Sequence, residues 1–339
     1  MAVVKANGYG HGAISVARAA TQGGAAWFGV ARIEEALELR RGGIESPILV
    51  LGFTSPGSYI EAVTQRISMS VWTRDQIKEI SIAALQAGLP AHIHLKVDTG
   101  MSRLGVPSHE AYQLAKVIQR IEGVFFEGIF THFARADEID RYYTDLQEQR
   151  FQKVIDQIKA TGLEPPLVHA ANSAATLVRP SSRFNLVRTG IAIYGLNPSK
   201  ECKLPPGFRP SLAWKSFLTQ VKVLPPGTGV SYGSEYITKS RERIGTVPVG
   251  YADGFRRVQG NKILVHGIRV PVVGRVCMDQ ISVQLDSVPE AEAGDEVILV
   301  GKQGESRITA DDLAECWGTV NYEVVCGIGS RVPRLYIEG

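Results

Sequence analysis

Short apolar runs alternate with stretches of helical spacing all the way from residue 2 to residue 196, and no other feature limits the fold as sharply. The runs 2–6, 27–31, 47–52, 67–71, 91–97, 125–130, 167–170 and 184–188 have the length and the Val, Ile and Phe content of buried strands. Between them, 32–41, 73–87 and 140–160 carry apolar residues at helical intervals; the last sets Tyr143, Leu146, Phe151, Val154, Ile155 and Ile158 along one stripe. Eight strands alternating with helices predict an α/β fold, a (β/α)8 TIM-type barrel. Losing one short run from the count would turn the ring into an open doubly wound sheet, which stays open as the alternative.

The pattern changes after Tyr194-Gly195. Residues 197–207 are rich in turn formers and read as the linker, which divides the chain into a barrel over 1–207 and a mainly β C-terminal domain over 208–339. In the second part 216–224, 245–249, 262–265, 270–273, 280–285 and 296–300 look like strands joined by Gly and Pro turns. Thr309-Ala310-Asp311-Asp312 has the form of a capped helix start.

Composition excludes several function classes. A formal charge of +3 and the lack of basic runs interleaved with aromatics argue against nucleic acid. No run approaches the ~20 apolar residues of a membrane helix, and no signal peptide is visible. The four cysteines, Cys202, Cys277, Cys316 and Cys326, include no C-x-x-C pair, so neither a zinc site nor a disulfide frame is expected, and a cytoplasmic location suits them.

If the strands form a barrel, reactive groups belong just beyond their carboxyl ends. Lys5 follows the first run; Lys96, Asp98 and Arg103 follow the fifth; His132 follows the sixth; His169, Asn172 and Ser173 follow the seventh; Arg188 and Gly190 follow the eighth. Polar groups gathered at one end of apolar strands are difficult to explain as packing. A lysine at a buried strand end needs a lowered pKa, a counter-charge or a covalent partner such as an aldehyde held as a Schiff base. Asn172-Ser173 and Thr189-Gly190-Ile191 occupy the two loops that in such barrels often cradle a phosphate, although Ser173 can equally cap a helix starting at Ala174. Lysine and phosphate cradle together suggest pyridoxal 5'-phosphate.

The run Val4-Lys5-Ala6-Asn7-Gly8-Tyr9-Gly10-His11-Gly12 resembles the cofactor-lysine signature of the bacterial alanine racemases, pyridoxal-phosphate enzymes of fold type III. The resemblance continues in order through Lys96-Val97-Asp98-Thr99-Gly100-Met101-Ser102-Arg103, Thr131-His132-Phe133-Ala134, His169-Ala170-Ala171-Asn172-Ser173 and Val187-Arg188-Thr189-Gly190-Ile191. It runs on through Val230-Ser231-Tyr232-Gly233, Gly250-Tyr251-Ala252-Asp253-Gly254, Gly274-Arg275-Val276-Cys277-Met278-Asp279-Gln280 and Asn321-Tyr322-Glu323.

The resemblance implies a racemase that interconverts L- and D-alanine and supplies D-alanine for cell-wall peptidoglycan. Lys5 and Tyr232 would be catalytic bases on opposite faces of the substrate Cα. Lys5, Tyr9, Arg103, His132, Asn172, Ser173, Arg188, Gly190, Ile191 and Tyr322 would bind the cofactor. Arg103, Met278 and Tyr251 would meet the substrate, Tyr251 and Tyr322 would narrow the entrance, and Asp137, Arg257 and Arg275 would line a corridor. Lys96 would be carbamylated. No metal is implied. Tyr232 and Met278 would come from the second subunit of a homodimer, so that each active site is shared.

Relatives also carry a strand and a helix ahead of the cofactor lysine, and their absence here would leave apolar surface uncovered and weaken the dimer. Three rival readings have distinct marks. A serine or broad-spectrum racemase would want a smaller polar residue in place of Tyr322; a decarboxylase of the same fold would carry a glycine triplet and a late cysteine-aspartate pair; a non-enzymatic cofactor carrier would lack the second domain with its tyrosine.

Overall fold

The computed structural model describes residues 1–337, which form two compact units divided between Phe208 and Arg209. In the first unit a curled parallel sheet runs in the order β1 (Ala2–Val3), β2 (Phe28–Val30), β3 (Ile48–Val50), β4 (Ile67–Val71), β5 (Ala91–Asp98), β7 (Val124–Phe130) and β8 (Leu167–His169). A short β6 (Val106–Pro107) pairs with β5 off this path. Neighbours in the sheet are neighbours in sequence, with helices on the outside, as right-handed βαβ crossovers require.

Alternation along β5 shows how the sequence builds the wall. Ala91, Ile93, Leu95 and Val97 join the core against the helices, so His92, His94, Lys96 and Asp98 lie on the opposite, inner face. The inside of this barrel is therefore polar along its fifth strand.

The expected eighth strand, 184–188, is absent as a regular ladder. Phe184 takes a positive φ of 44°, and the Asn185 side chain, not a main-chain carbonyl, accepts the Val168 N–H at 2.8 Å. The ring nevertheless closes through isolated main-chain bonds: Arg188 N–H to Ala171 O at 2.9 Å, Val3 N–H to Thr189 O at 2.8 Å and Thr189 N–H to Met1 O at 3.1 Å. The closed barrel, and not the open sheet, is what forms.

The helices begin and end close to where the spacing places them. Arg74–Ala87 is capped by Thr73, whose Oγ1 accepts from the Gln76 N–H while Gln76 reaches back to the Thr73 N–H. Tyr142–Lys159 buries Phe151, Val154, Ile155 and Ile158 as expected, but Thr144 and Gln147 are buried where Tyr143 and Leu146 were expected, and those two are only half-buried. The stripe is rotated because Gln147 is needed inside, as described below. Stretch 197–207 folds onto the first unit: Ser199 Oγ donates to Asp137 O at 2.9 Å, and Asn197 Oδ1 accepts from the Leu204 N–H.

The second unit is mainly antiparallel β. Strands β9 (Trp214–Phe217), β10 (Gln220–Leu224), β11 (Gly229–Val230), β12 (Tyr236–Ile237), β13 (Glu242–Val247), β14 (Lys262–Val265), β15 (Ile268–Val273), β16 (Ile281–Gln284), β17 (Glu296–Gln303) and β18 (Ser306–Ile308) make it up. Its main sheet runs β10-β13-β16-β15-β14-β17-β18, with β9 on β17, while β11 and β12 pair with each other. The single strand expected over 216–224 is broken at Leu218-Thr219, where the chain leaves the Asp295 carbonyl and takes up that of Thr246. Thr309 caps the helix Ala310–Trp317 through Asp312, and a further helix, Asn321–Cys326, lacks a periodic signal long enough to be read from sequence. Among the described residues no helix is long and apolar enough to cross a membrane.

Candidate active site

Lys5 opens a five-residue helical turn, Lys5–Tyr9, in which Ala6, Asn7, Gly8 and Tyr9 all have φ between 51° and 61°. Consecutive left-handed residues cost about 1–2 kcal/mol each except at glycine, so the surroundings must impose them. They do so with hydrogen bonds: Gly8 N–H to Val4 O at 2.8 Å, Gly10 N–H to Ala6 O at 2.9 Å and Gly12 N–H to Asn7 O at 2.8 Å. Asn7 Oδ1 takes the Ala13 N–H at 2.9 Å. Glu35, which the sequence reading passed over, grips the turn from outside: Oε1 accepts from the Ala6 N–H at 2.7 Å, and Oε2 from the N–H groups of Ala31 and Arg32 at 2.7 and 3.2 Å. The residue directly after Lys5 is thereby tied to the end of β2. The only advance signal was Glu35 at the third position of a helix start.

Two loops meet at the next part of the site. Asn172, not Ser173, caps the short helix Ser173–Val178, its Oδ1 accepting from the Ala175 N–H at 3.0 Å. Ser173 Oγ instead crosses to the other loop and accepts from the Gly190 N–H at 2.9 Å and the Ala192 N–H at 3.4 Å. Ile191 is buried behind them. Tyr9 packs tilted against Tyr194 with ring centroids 4.9 Å apart, and Gly190 passes so close that a side chain there would strike the Tyr9 hydroxyl. Lys5, Tyr9, Ser173 and Gly190 thus stand together at the carboxyl ends of the first, seventh and closing segments.

Arg188 is buried, and both its terminal nitrogens donate to uncharged acceptors. Nη1 donates to His169 Nδ1 at 2.9 Å; Nη2 donates to Thr131 O and Ala170 O, both at 2.8 Å, and lies 3.3 Å from His132 Nδ1. Burial lowers its pKa to about 9, and burial with the nearby guanidinium holds the His132 and His169 imidazoles well below their usual range and neutral. Gln147, missed in sequence because it interrupts an apolar stripe, fixes this corner: Nε2 donates to His132 O at 3.1 Å, and Oε1 accepts from the Ala134 N–H at 2.9 Å.

Lys96 sits on the inner face of β5, its Nζ donating to Leu51 O at 2.8 Å and lying 5.2 Å from the centre of the Phe130 ring. Burial above all, then the charges of Arg188, Arg103 and Lys5, bring its pKa to about 7, with Asp98 acting in the opposite sense. Arg103 is exposed on the loop after β5, and Asp98 Oδ1 accepts the Gly100 and Ser102 N–H groups of that loop. The barrel mouth is therefore strongly positive, and such a field favours an anionic guest.

Apart from Asp137, the remaining expected residues lie in the second unit, and several of them cluster there. Ser231 Oγ donates to Arg275 O at 2.6 Å, Tyr251 N–H to Cys277 O at 3.0 Å and Ala252 N–H to Met278 O at 3.0 Å, so three loops form one bonded group. It presents Tyr232, Tyr251 and Met278 to solvent, 68%, 44% and 52% exposed. Arg275 pairs with Glu235, Arg257 is exposed, and Tyr322 is half-buried on the helix Asn321–Cys326. Asp137 belongs to the first unit, where its carbonyl anchors the Ser199 turn.

A parallel barrel that holds a strained lysine-bearing turn, a hydroxyl-to-backbone cradle and an arginine on neutral acceptors at one mouth defines an enzyme built around an anion. Comparison with known proteins narrows the class. Residues 1–198 match the family described as alanine racemase, N-terminal domain, and residues 211–336 the alanine racemase C-terminal domain. The alanine racemase of Geobacillus stearothermophilus is 47% identical over 343 residues, covering 100% of this chain and 87% of the relative. That of Desulfovibrio desulfuricans is 45% identical over 338 residues, covering 99% and 90%. The crystal structure of alanine racemase from Bacillus anthracis with bound L-Ala-P superposes with a TM-score of 0.94 at 41% identity, covering 99% of this chain and 88% of that one. The chain belongs to the alanine racemase family, enzymes that interconvert the two enantiomers of alanine.

Proposed function

We propose that the chain racemises alanine with pyridoxal 5'-phosphate held in the mouth of its barrel, and that the active unit is a homodimer. The observation that carries the cofactor assignment is the set of donors around Lys5. A phosphate fits where Tyr9, Ser173 and the backbone at Gly190 and Ile191 converge, and the anionic ring oxygen fits the field of Arg103. Lys5 would hold the group covalently through Nζ, and Arg188 would face its ring nitrogen. Bound there, the cofactor supplies an electron sink that makes the substrate Cα–H acidic enough to ionise. Because a guanidinium keeps its protons, Arg188 would leave the ring nitrogen unprotonated and the sink weak, which would limit side reactions.

Racemisation needs one proton removed from Cα and another delivered to the opposite face. Lys5 Nζ serves one face and Tyr232 of the partner subunit the other. His132, neutral and tied to Arg188 on its Nδ1 side, is placed to donate from Nε2 to the tyrosine oxygen and favour its phenolate. The exposure of Tyr232, Tyr251 and Met278 on one bonded cluster supports their docking onto a second chain, since large exposed apolar groups that lie together mark interaction surfaces. There Met278 would offer its backbone N–H to the substrate carboxylate, and Tyr251 with Tyr322 would admit a methyl side chain. The hydroxyl that serine adds there would cost about 1–3 kcal/mol, so serine is disfavoured but not barred.

Lys96, with a pKa near 7, has enough neutral amine to take up carbon dioxide and become an anionic carbamate beside Arg103. We assign the enzyme to the cytoplasm and its D-alanine to the cell-wall peptide. The test is exchange in deuterium oxide: holoenzyme must wash the Cα hydrogen out of both L- and D-alanine. Lys5→Ala must lose the visible absorbance of the bound cofactor, whereas Tyr232→Phe must keep it and lose exchange from one enantiomer. Retention of both exchange rates in Tyr232→Phe would refute the two-base reading.

A further inference from the structure

The hydrogen bonds that hold Arg188 continue through the barrel interior, away from the mouth. His169 Nε2 lies 2.9 Å from His94 Nδ1, and His94 Nε2 lies 3.1 Å from Glu127 Oε2. Glu127 also accepts from Ser68 Oγ at 2.5 Å and from His92 Nδ1 at 2.8 Å. We propose that Glu127 is a positioning residue for the active site, fixing through His94 and His169 the ring tautomer that presents a lone pair to Arg188.

The direction of the chain follows from what its ends can do. A guanidinium only donates, so His169 must accept at Nδ1 and carry its proton on Nε2. That proton goes to His94 Nδ1, which leaves the His94 proton on Nε2, facing Glu127. An ionised carboxylate only accepts. With a donor-only group at one end and an acceptor-only group at the other, a single arrangement satisfies every link, and reversing either ring would set two donors against each other. The same reasoning puts the His132 proton on Nε2, because Arg188 occupies its Nδ1 side.

Local structure holds the chain in place. Between Ile93 and His94 the pairing of β5 with β7 shifts register, leaving Glu127 as the extra residue that turns inward. His94 is then opposite Gly128, where a Cβ would lie 2.3 Å from its Nδ1, so only glycine leaves room for the ring. Phe130 lies flat on His169, centroids 4.7 Å apart at 4°, and the Trp27 ring meets His94 edge-on. Burial pushes the Glu127 carboxyl up, but hydrogen bonds from His92, His94 and Ser68 outweigh it and hold the group at about 2. Arg188 thus has its nearest chained counter-charge two imidazoles away. This inference rests on the assignment of Arg188 to the cofactor ring nitrogen.

The experiment is nitrogen NMR of histidine-labelled holoenzyme together with alanine kinetics. His94, His169 and His132 are expected as neutral rings protonated on Nε2 at neutral pH. Glu127→Gln keeps an acceptor oxygen, so it should keep those tautomers and a kcat within about twofold of the native value. Glu127→Ala strands the buried His94 N–H; kcat should fall about tenfold with KM for alanine nearly unchanged, and the His169 resonances should move or broaden. His169 protonated on Nδ1 in the native enzyme overturns the proposal, and so does Glu127→Ala with native tautomers and native kcat. Since Glu127→Ala can also unfold, the native spectrum and Glu127→Gln decide in that event. A holoenzyme that fails to racemise alanine would sink the proposed function, whereas the tautomers would still be read directly.

Discussion

Gly190 and Tyr9 approach so closely that a Cβ on residue 190 would lie 2.4 Å from the tyrosine hydroxyl oxygen. The contact joins the closing segment of the barrel to the left-handed turn that carries Lys5, so the geometry of the lysine depends on a missing side chain far along the sequence. Gly190→Ala should displace Tyr9, cost about 1–3 kcal/mol through overpacking, and weaken cofactor retention more than it lowers the melting temperature. Thermal denaturation of the protein with and without pyridoxal phosphate measures both.

Glu35 holds Ala6, Ala31 and Arg32 by their backbone N–H groups. Glu35→Ala removes an acceptor from three donors and releases a turn that is unfavourable by itself; loss of about 2–4 kcal/mol is expected, at the upper end for hydrogen bonds to a charge. Circular dichroism should still show a folded barrel, while reaction of Lys5 with added pyridoxal phosphate, followed by absorbance, should slow.

Arg188→Lys tests whether charge or shape matters at that position. A single ammonium cannot reach His169, His132, Thr131 O and Ala170 O together, so buried acceptors are stranded at about 1–3 kcal/mol each. Both urea midpoint and kcat/KM should fall, although the net charge is unchanged.

Lys96 gives a pH signature in the cofactor-free protein. Its folded pKa near 7 lies below the ordinary 10.5, so between those values the unfolded chain binds a proton that the folded chain does not. Stability from this group therefore rises with pH across that window and is constant below it. Lys96→Met should flatten the rise in a urea titration between pH 7 and 10.

Thr309→Ala removes the oxygen that accepts the Asp312 N–H at 3.0 Å at the start of Ala310–Trp317. A loss of about 1 kcal/mol is expected in the second unit's unfolding, with the first unit's cofactor absorbance untouched.

Much of this molecule is local chemistry and was therefore readable in one dimension. Strand β4 falls where its run of alternating apolar residues begins and ends, and Thr73 and Thr309 announce their helices because a cap needs only neighbours three residues away. The residues at the mouth, from Lys5 to Arg188, could be named because a barrel exposes its strand ends on one face. The closing segment 184–188 could not be foreseen as irregular, since the Asn185 side chain that replaces its ladder acts on Val168, seventeen positions earlier.

Sequence by itself determined the alternation, the helix starts at Thr73 and Thr309 and the gathering of polar residues beyond the strand ends, because those follow from periodicity and from bonds a few residues long. Only the tertiary structure decided that Ser173 would span to Gly190 and leave the cap to Asn172, that Gln147 would turn inward to hold His132, and that Glu127 would stand at the end of Arg188's chain. Each of these joins atoms brought together by closing the barrel, and a buried polar group must find its partner wherever closure puts one.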